Sequence, residues 1–204
     1  MKAIPATVTS KSYFKSSGHL LESQIKTDSG YLLDIKTLPA FLRTLLVMDG
    51  TVTKSLSAWF WEPVKIEAFY NKLEKIKEPL DIFGLKSGDK ILRREVSLIG
   101  KDSYKTFACA RSIVSMPHLP DNIGRSLEKG KMGIGELLQE QDIETYRDIF
   151  SIDFLPESEK KKDELLDSLL GDIVSRSYQI RVNGIPAIVV TEYFPVSLYQ
   201  AMPK

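Results

Sequence analysis

Residues 175–194 read SRSYQIRV-NG-IPAIVVTEYF, two runs in which apolar side chains recur at every second position on either side of Asn183-Gly184. A two-residue type I′ turn needs positive φ at both central positions, and Asn-Gly supplies it at little steric cost. The stretch therefore predicts an antiparallel hairpin with strands over 175–182 and 185–194. The same period of two returns in Val64, Ile66, Ala68 and Tyr70, and in residues 91–100, 104–114 and 143–152, which makes six strands in all. Gly100-Lys101-Asp102-Ser103 predicts a second tight hairpin. If that turn centres on Lys101 and Asp102, Arg94 lies opposite Cys109 and Arg111 opposite Leu92. The last strand is apolar on both parities, so it is expected near the middle of the sheet, covered on both faces.

Helical spacing fills the connections. TLPAFLRTLLVMDG, residues 37–50, has Pro39 in the first turn and Phe41, Leu42, Leu45 and Leu46 on one face, and Thr53 is a candidate cap for a second short helix through Phe60. Residues 119–130 and 133–141 read as two further short helices joined at Gly130 and Gly133, and PESEKKKDELLDSLLGD, residues 156–172, reads as an amphipathic surface helix. Residues 1–36 read as a loosely ordered arm or a short strand packed on the rest. The class is α+β: a six-stranded antiparallel sheet with helices in its connections, in one domain over residues 1–204.

Composition narrows the chemistry. The 204 residues carry 28 Lys and Arg against 27 Asp and Glu, which disfavours a broadly basic nucleic-acid face. A chain this long buries roughly 70% of its unfolded surface without a disulfide or structural metal. One Cys and two His give little for redox or zinc chemistry. No signal peptide and no membrane span is legible, so a cytoplasmic location is expected. Walker, Rossmann and G-x-S-x-G motifs are missing from the sequence.

Charges that break the apolar pattern are the better guide. Arg94 shares its parity with Leu92, Val96 and Leu98, and Arg111 with Phe107, Cys109 and Ile113. A guanidinium against the core side of a sheet needs an anion, supplied either by a carboxylate of the chain or by a ligand. Glu192 lies on the parity of Ile188, Val190 and Phe194, as a structural counter-ion or as a group for proton transfer or a ligand hydroxyl. Two turns that enter helices, Asp49–Thr53 and Gly133–Gly135, have backbone amides suited to an anion.

The segments LLVMDGTVTKSL (45–56), ILRREVSLIG (91–100), ARSIVSMPHLP (110–120), GIGELL (133–138), IETYRD (143–148) and RSYQIRVNGIPAIVVTEYF (176–194) resemble, in order and spacing, the chorismate pyruvate-lyase (4-hydroxybenzoate synthase) family in its longer branch. The resemblance implies a six-stranded antiparallel sheet with helical flaps over a buried ligand site. It also implies a lyase that converts chorismate to 4-hydroxybenzoate and pyruvate. The family's carboxylate-binding arginine falls on Arg94, its flap amides on Val52 and Ile134, and its glutamate for the 4-hydroxyl group on Glu192. Arg94 and Glu192 are the implied catalytic residues. Arg111 matches an arginine in part of the family and is assigned to the enolpyruvyl side. Gly133-Ile134-Gly135 departs from the family's Pro-Leu-Gly, which bears on flap stiffness more than on an amide's chemistry. No cofactor or metal is implied, and the partner is a small molecule, with no nucleic acid and no membrane. A monomer or weak homo-oligomer is expected. The alternative is a non-catalytic sensor of aromatic carboxylates, related to the ligand-binding domains of transcription regulators, although residues 1–60 show no basic recognition helix. Another enzyme acting on an enolpyruvyl acid is a third reading.

Overall fold

In the computed structural model, residues 24–130 and 132–200 are described. They form a small hairpin of β1 (Gln24–Lys26) and β2 (Leu32–Asp34) and a six-stranded sheet. The large sheet holds β3 (Val64–Lys75), β4 (Lys90–Gly100), β5 (Thr106–Ser115), β6 (Thr145–Leu155), β7 (Ile173–Val182) and β8 (Ile185–Pro195). Its order is β3-β4-β5-β8-β7-β6, and every neighbouring pair is antiparallel. Asn183 and Gly184 take φ of 50° and 79°, the left-handed pair that the NG turn predicts. β8 lies between β5 and β7, as its two apolar parities require. Of the expected arm, residues 1–23 lie outside the described residues, and the remainder contributes the β1–β2 hairpin.

Among the described residues four short helices sit in the connections, α1 (Ala40–Val47), α2 (Val52–Phe60), α3 (Asp121–Glu128) and α4 (Ile134–Glu140), and a fifth, α5 (Val196–Gln200), follows the last strand. The helix-bearing face of the sheet carries two separate apolar clusters. One gathers Leu42, Leu45, Leu46 and Leu56 of α1 and α2 over Phe107, Val174 and Phe194. The other gathers Ile123, Leu127, Leu137 and Leu138 of α3 and α4 over Leu92, Ile180 and Ile188. Each of these fully buried side chains contributes about 1.5–3 kcal/mol. The opposite face is closed by residues 76–85 over Ile91, Ile113 and Val189, and by Leu165, Leu166 and Leu169 over Cys109.

Two expectations fail. Residues 156–172 form no continuous helix; they make two single turns, Glu157–Glu159 and Leu166–Ser168. Asp163 there is drawn to Arg111 and also accepts from the Leu166 amide, and Lys160 Nζ donates to the Leu169 carbonyl, which together fix an irregular path. The β4–β5 hairpin is also not the two-residue turn. Its loop closes between Gly100 and Lys105, with Tyr104 left-handed at φ 56°, and β5 bulges where Leu98 pairs with Ala108 and Ile99 with Thr106. The loop is fixed from a distance, because the amides of Asp102 and Ser103 both donate to Glu62 Oε2 at 2.8 and 2.9 Å. A Cβ at Gly100 would stand 2.6 Å from that same oxygen, so a larger residue would displace the Glu62 carboxylate from these amides. In the resulting register Arg94 pairs with Ser112 and Arg111 with Glu95, so the two arginines point to opposite faces.

Candidate functional site

Between the two clusters of the helix-bearing face runs a polar strip two rungs wide. One rung is Val96, Ala110, Glu192 and Arg176 across β4, β5, β8 and β7; the next is Arg94, Ser112, Val190 and Tyr178. Side chains directly opposed in a rung stand about 4.5–5.5 Å apart at Cβ. The centre of the strip holds only Ala110, Ser112 and Val190, and above these smaller side chains lies a cavity of about 70 Å³, enough for several waters. Arg94 and Glu192 line it from below, and Val52 and Ile134 from above.

Arg94 is 3% exposed, so its guanidinium has lost nearly all of its hydration. Nη2 donates to the Met132 carbonyl at 2.8 Å, while Nε is buried without a partner among the described residues. No carboxylate of those residues pairs with it. Burial alone pushes it down to about 10, which still leaves a cation at neutral pH.

Glu192 is held on both oxygens. Oε2 accepts from Arg176 Nε at 2.8 Å and Oε1 from the Tyr178 hydroxyl at 2.9 Å. Each oxygen keeps a second lone pair for a ligand. Arg176 is 1% exposed; its Nη1 donates to the Met48 carbonyl at 2.6 Å, and its guanidinium lies 5.1 Å from the centre of the Tyr178 ring. Burial and the charge of Glu192 push the Tyr178 phenol far above its ordinary value, so it stays a donor.

Val52 and Ile134 are the first residues of α2 and α4. Their N-cap residues, Thr51 and Gly133, make no side-chain cap, so the first-turn amides have no side chain of the cap to satisfy them. Thr51 stands where Thr53 was expected as the cap. The two turns meet closely: a Cβ on Gly133 would stand 2.6 Å from Ile66 Cδ1, and one on Gly135 would stand 3.3 Å from Thr51 Oγ1. Glycine thus lets the 133–135 turn approach the sheet at Ile66 and the other turn at Thr51.

Four of the five predicted site residues thus converge on one cavity, and Arg111 does not. On the opposite face its Nε bonds Glu95 at 3.0 Å and its Nη2 bonds both oxygens of Asp163 at 2.7 and 2.9 Å. Burial works against its charge, but Asp163 and Glu95 outweigh that and hold the guanidinium above its ordinary range. Sequence reasoning missed Arg176, Tyr178 and Arg147. Arg176 carried the same signal as Arg94, a lone charge on the parity of Val174, Tyr178, Ile180 and Val182. Tyr178 looked like any core aromatic, and Arg147 sits on an edge strand where polar residues are routine.

The family described as Chorismate pyruvate-lyase Rv2949c-like matches residues 46–202. A chorismate pyruvate-lyase of Mycobacterium leprae (strain TN) is 30% identical over 172 residues, covering 84% of this chain and 81% of that protein. Another from Mycobacterium tuberculosis (strain ATCC 25618 / H37Rv) is 25% identical over 183 residues, covering 83% and 87%. Among solved structures, the fold is similar to PhnF from Mycobacterium smegmatis, with a TM-score of 0.57 and 11% identity over 74% of this chain and 66% of that one. The effector domain of PhnF gives a TM-score of 0.55 at 11% identity, covering 72% of this chain and 90% of the domain. The PhnF likeness is one of fold alone.

Proposed function

The chain belongs to the chorismate pyruvate-lyase Rv2949c-like family, and from that membership we propose that it converts chorismate to 4-hydroxybenzoate and pyruvate. The observation that carries this reading is Arg94, a buried cation facing a cavity with no carboxylate of its own among the described residues. In this reading Arg94 takes the ring carboxylate, and the amides of Val52 and Ile134 close over it as the turns at 49–52 and 133–135 act as flaps. Glu192 accepts the 4-hydroxyl group at the far end of the ring. Arg94 on β4 and Glu192 on β8 stand two strands apart, roughly 10 Å at the backbone, with the small side chains of β5 between them, which accords with a para-substituted ring.

In the reaction the C3–O bond breaks with its electron pair leaving on oxygen, and the C4 hydrogen leaves as a proton. The ring becomes aromatic, and the enolpyruvate takes up a proton at its methylene carbon to become pyruvate. Atoms and electrons balance without a redox partner. The protein's task is to hold the reactive pose, exclude water and stabilise charge on the leaving oxygen. Glu192, fixed on both oxygens by Arg176 and Tyr178, has the rigidity to orient the C4 substituent.

A second reading, ligand binding without turnover, is favoured by the shared fold with the PhnF effector domain. Incubation with chorismate, following pyruvate and 4-hydroxybenzoate together, separates the two. Equimolar release of both, lost in Arg94→Ala and Glu192→Gln, supports the lyase. Tight binding of 4-hydroxybenzoate with no pyruvate formed supports the second reading.

A further inference from the structure

Chorismate carries two carboxylates, and the structure removes Arg111, the residue that sequence reasoning gave to the second. The cavity has another cation. Arg147 of β6 lines it on the side away from Arg94, and it also lines an adjoining outer cavity of about 360 Å³ that shares Gly50, Thr51 and Gly135 with the first. Its guanidinium stands in the wall between the two: Nη1 donates to the Asp49 carbonyl, and a Cβ on Gly135 would come within 3.4 Å of Nη2. Nε is buried and without a partner among the described residues, and none of their carboxylates pairs with it. Lys54 also lines the outer cavity, its Nζ bonded to Gln139 Oε1 at 2.7 Å.

The charges in the cavity are informative as a set. Arg176 neutralises Glu192, which leaves Arg94 and Arg147 as two guanidiniums at separate places on the wall, neither with a carboxylate partner among the described residues. A ligand with two carboxylates matches that pattern, one with a single carboxylate matches half of it, and a guanidinium's fork suits a carboxylate in particular.

We infer that Arg147 binds the carboxylate of the enolpyruvyl group, and that the outer cavity receives the pyruvate half as it separates. The inference rests on the lyase reading of the inner cavity. Arg147 then confers preference for the dianionic substrate over the monoanionic product, which has no group to reach it. Release follows from the same arrangement, because once the C3–O bond is broken the two carboxylates are on different molecules and each leaves by itself.

The test uses the full chain with Arg147→Gln and Arg147→Lys. The KM for chorismate is expected to rise roughly tenfold or more in Arg147→Gln, with partial rescue in Arg147→Lys, and inhibition by added pyruvate should weaken in parallel. The Kd for 4-hydroxybenzoate should stay within about twofold of wild type, since its carboxylate is held by Arg94 and the Val52 and Ile134 amides and not by Arg147, and that unchanged value also shows the variant to be folded. Unchanged KM overturns the inference. Equal losses for chorismate and 4-hydroxybenzoate overturn it too, since Arg147 would then serve the turn at Asp49 and not a carboxylate. If the wild type releases no pyruvate, the lyase reading falls, and the Kd of chorismate against that of 4-hydroxybenzoate decides the role of Arg147 by the same comparison.

Discussion

Arg94 and Arg111 sit on adjacent strands, one register position apart, and project to opposite faces of one sheet. Arg111 has its counter-ions within the chain, Glu95 beside it and Asp163 from a separate loop, and remains partly exposed. Arg94 is more deeply buried and has a single carbonyl for a partner among the described residues. The same side chain at a similar height is a structural ion pair on one face and, on the other, a buried cation with no carboxylate among the described residues. What differs is whether the described residues bring a carboxylate to it. A fold that leaves a buried cation uncompensated gives up stability that a ligand can restore.

The comparison breaks most sharply at Arg94. Arg94→Ala should reduce pyruvate release by roughly a hundredfold or more, measured at saturating and subsaturating chorismate. Arg94→Met in the unliganded protein should cost less than about 1 kcal/mol or even stabilise it in urea unfolding, because a desolvated charge is replaced by apolar volume. Arg111→Ala should do the reverse: stability falls by about 1–2 kcal/mol as Asp163 and Glu95 lose their partner at a half-exposed site, while turnover stays within a few fold. Smaller again is Tyr178→Phe, which removes one of the two bonds on Glu192; roughly three- to tenfold weaker binding of 4-hydroxybenzoate is expected by titration.

The smallest effect is in the pH profile of stability. Burial raises Asp163, but its bonds from Arg111 outweigh that and hold it below the ordinary carboxylate range. A depressed pKa stabilises the fold above the unfolded value, about 4, and that contribution fades as pH falls through the folded value. Urea unfolding between pH 7 and 3 should therefore show a shallower acid limb in Arg111→Ala than in wild type. Parallel limbs would show that Asp163 gains nothing from the pair.

The same pair of arginines shows what a sequence can and cannot reveal. The 175–194 hairpin is legible because Asn-Gly fixes its turn locally, and parity then puts Glu192 on the right face. Arg94 is legible as the one charge among Leu92, Val96 and Leu98. Relating Arg111 to it is harder, since that depends on loop length and a bulge, and the loop is held by Glu62 some forty residues earlier in the chain. One residue of register decides the face. The failed helix at 156–172 has the same origin, as Asp163 is held by Arg111 of β5, a partner far away in the chain, as well as by the Leu166 amide. Arg147 gave no signal at all, because its importance lies in two turns from distant segments that meet around it.

The most direct test of the account is calorimetric titration of 4-hydroxybenzoate into Arg94→Met and Arg111→Met side by side with the wild type. Loss of roughly a hundredfold or more in affinity for Arg94→Met, with Arg111→Met close to wild type, is the expected result. Equal affinities in Arg94→Met and wild type, or a larger loss at Arg111, would contradict it.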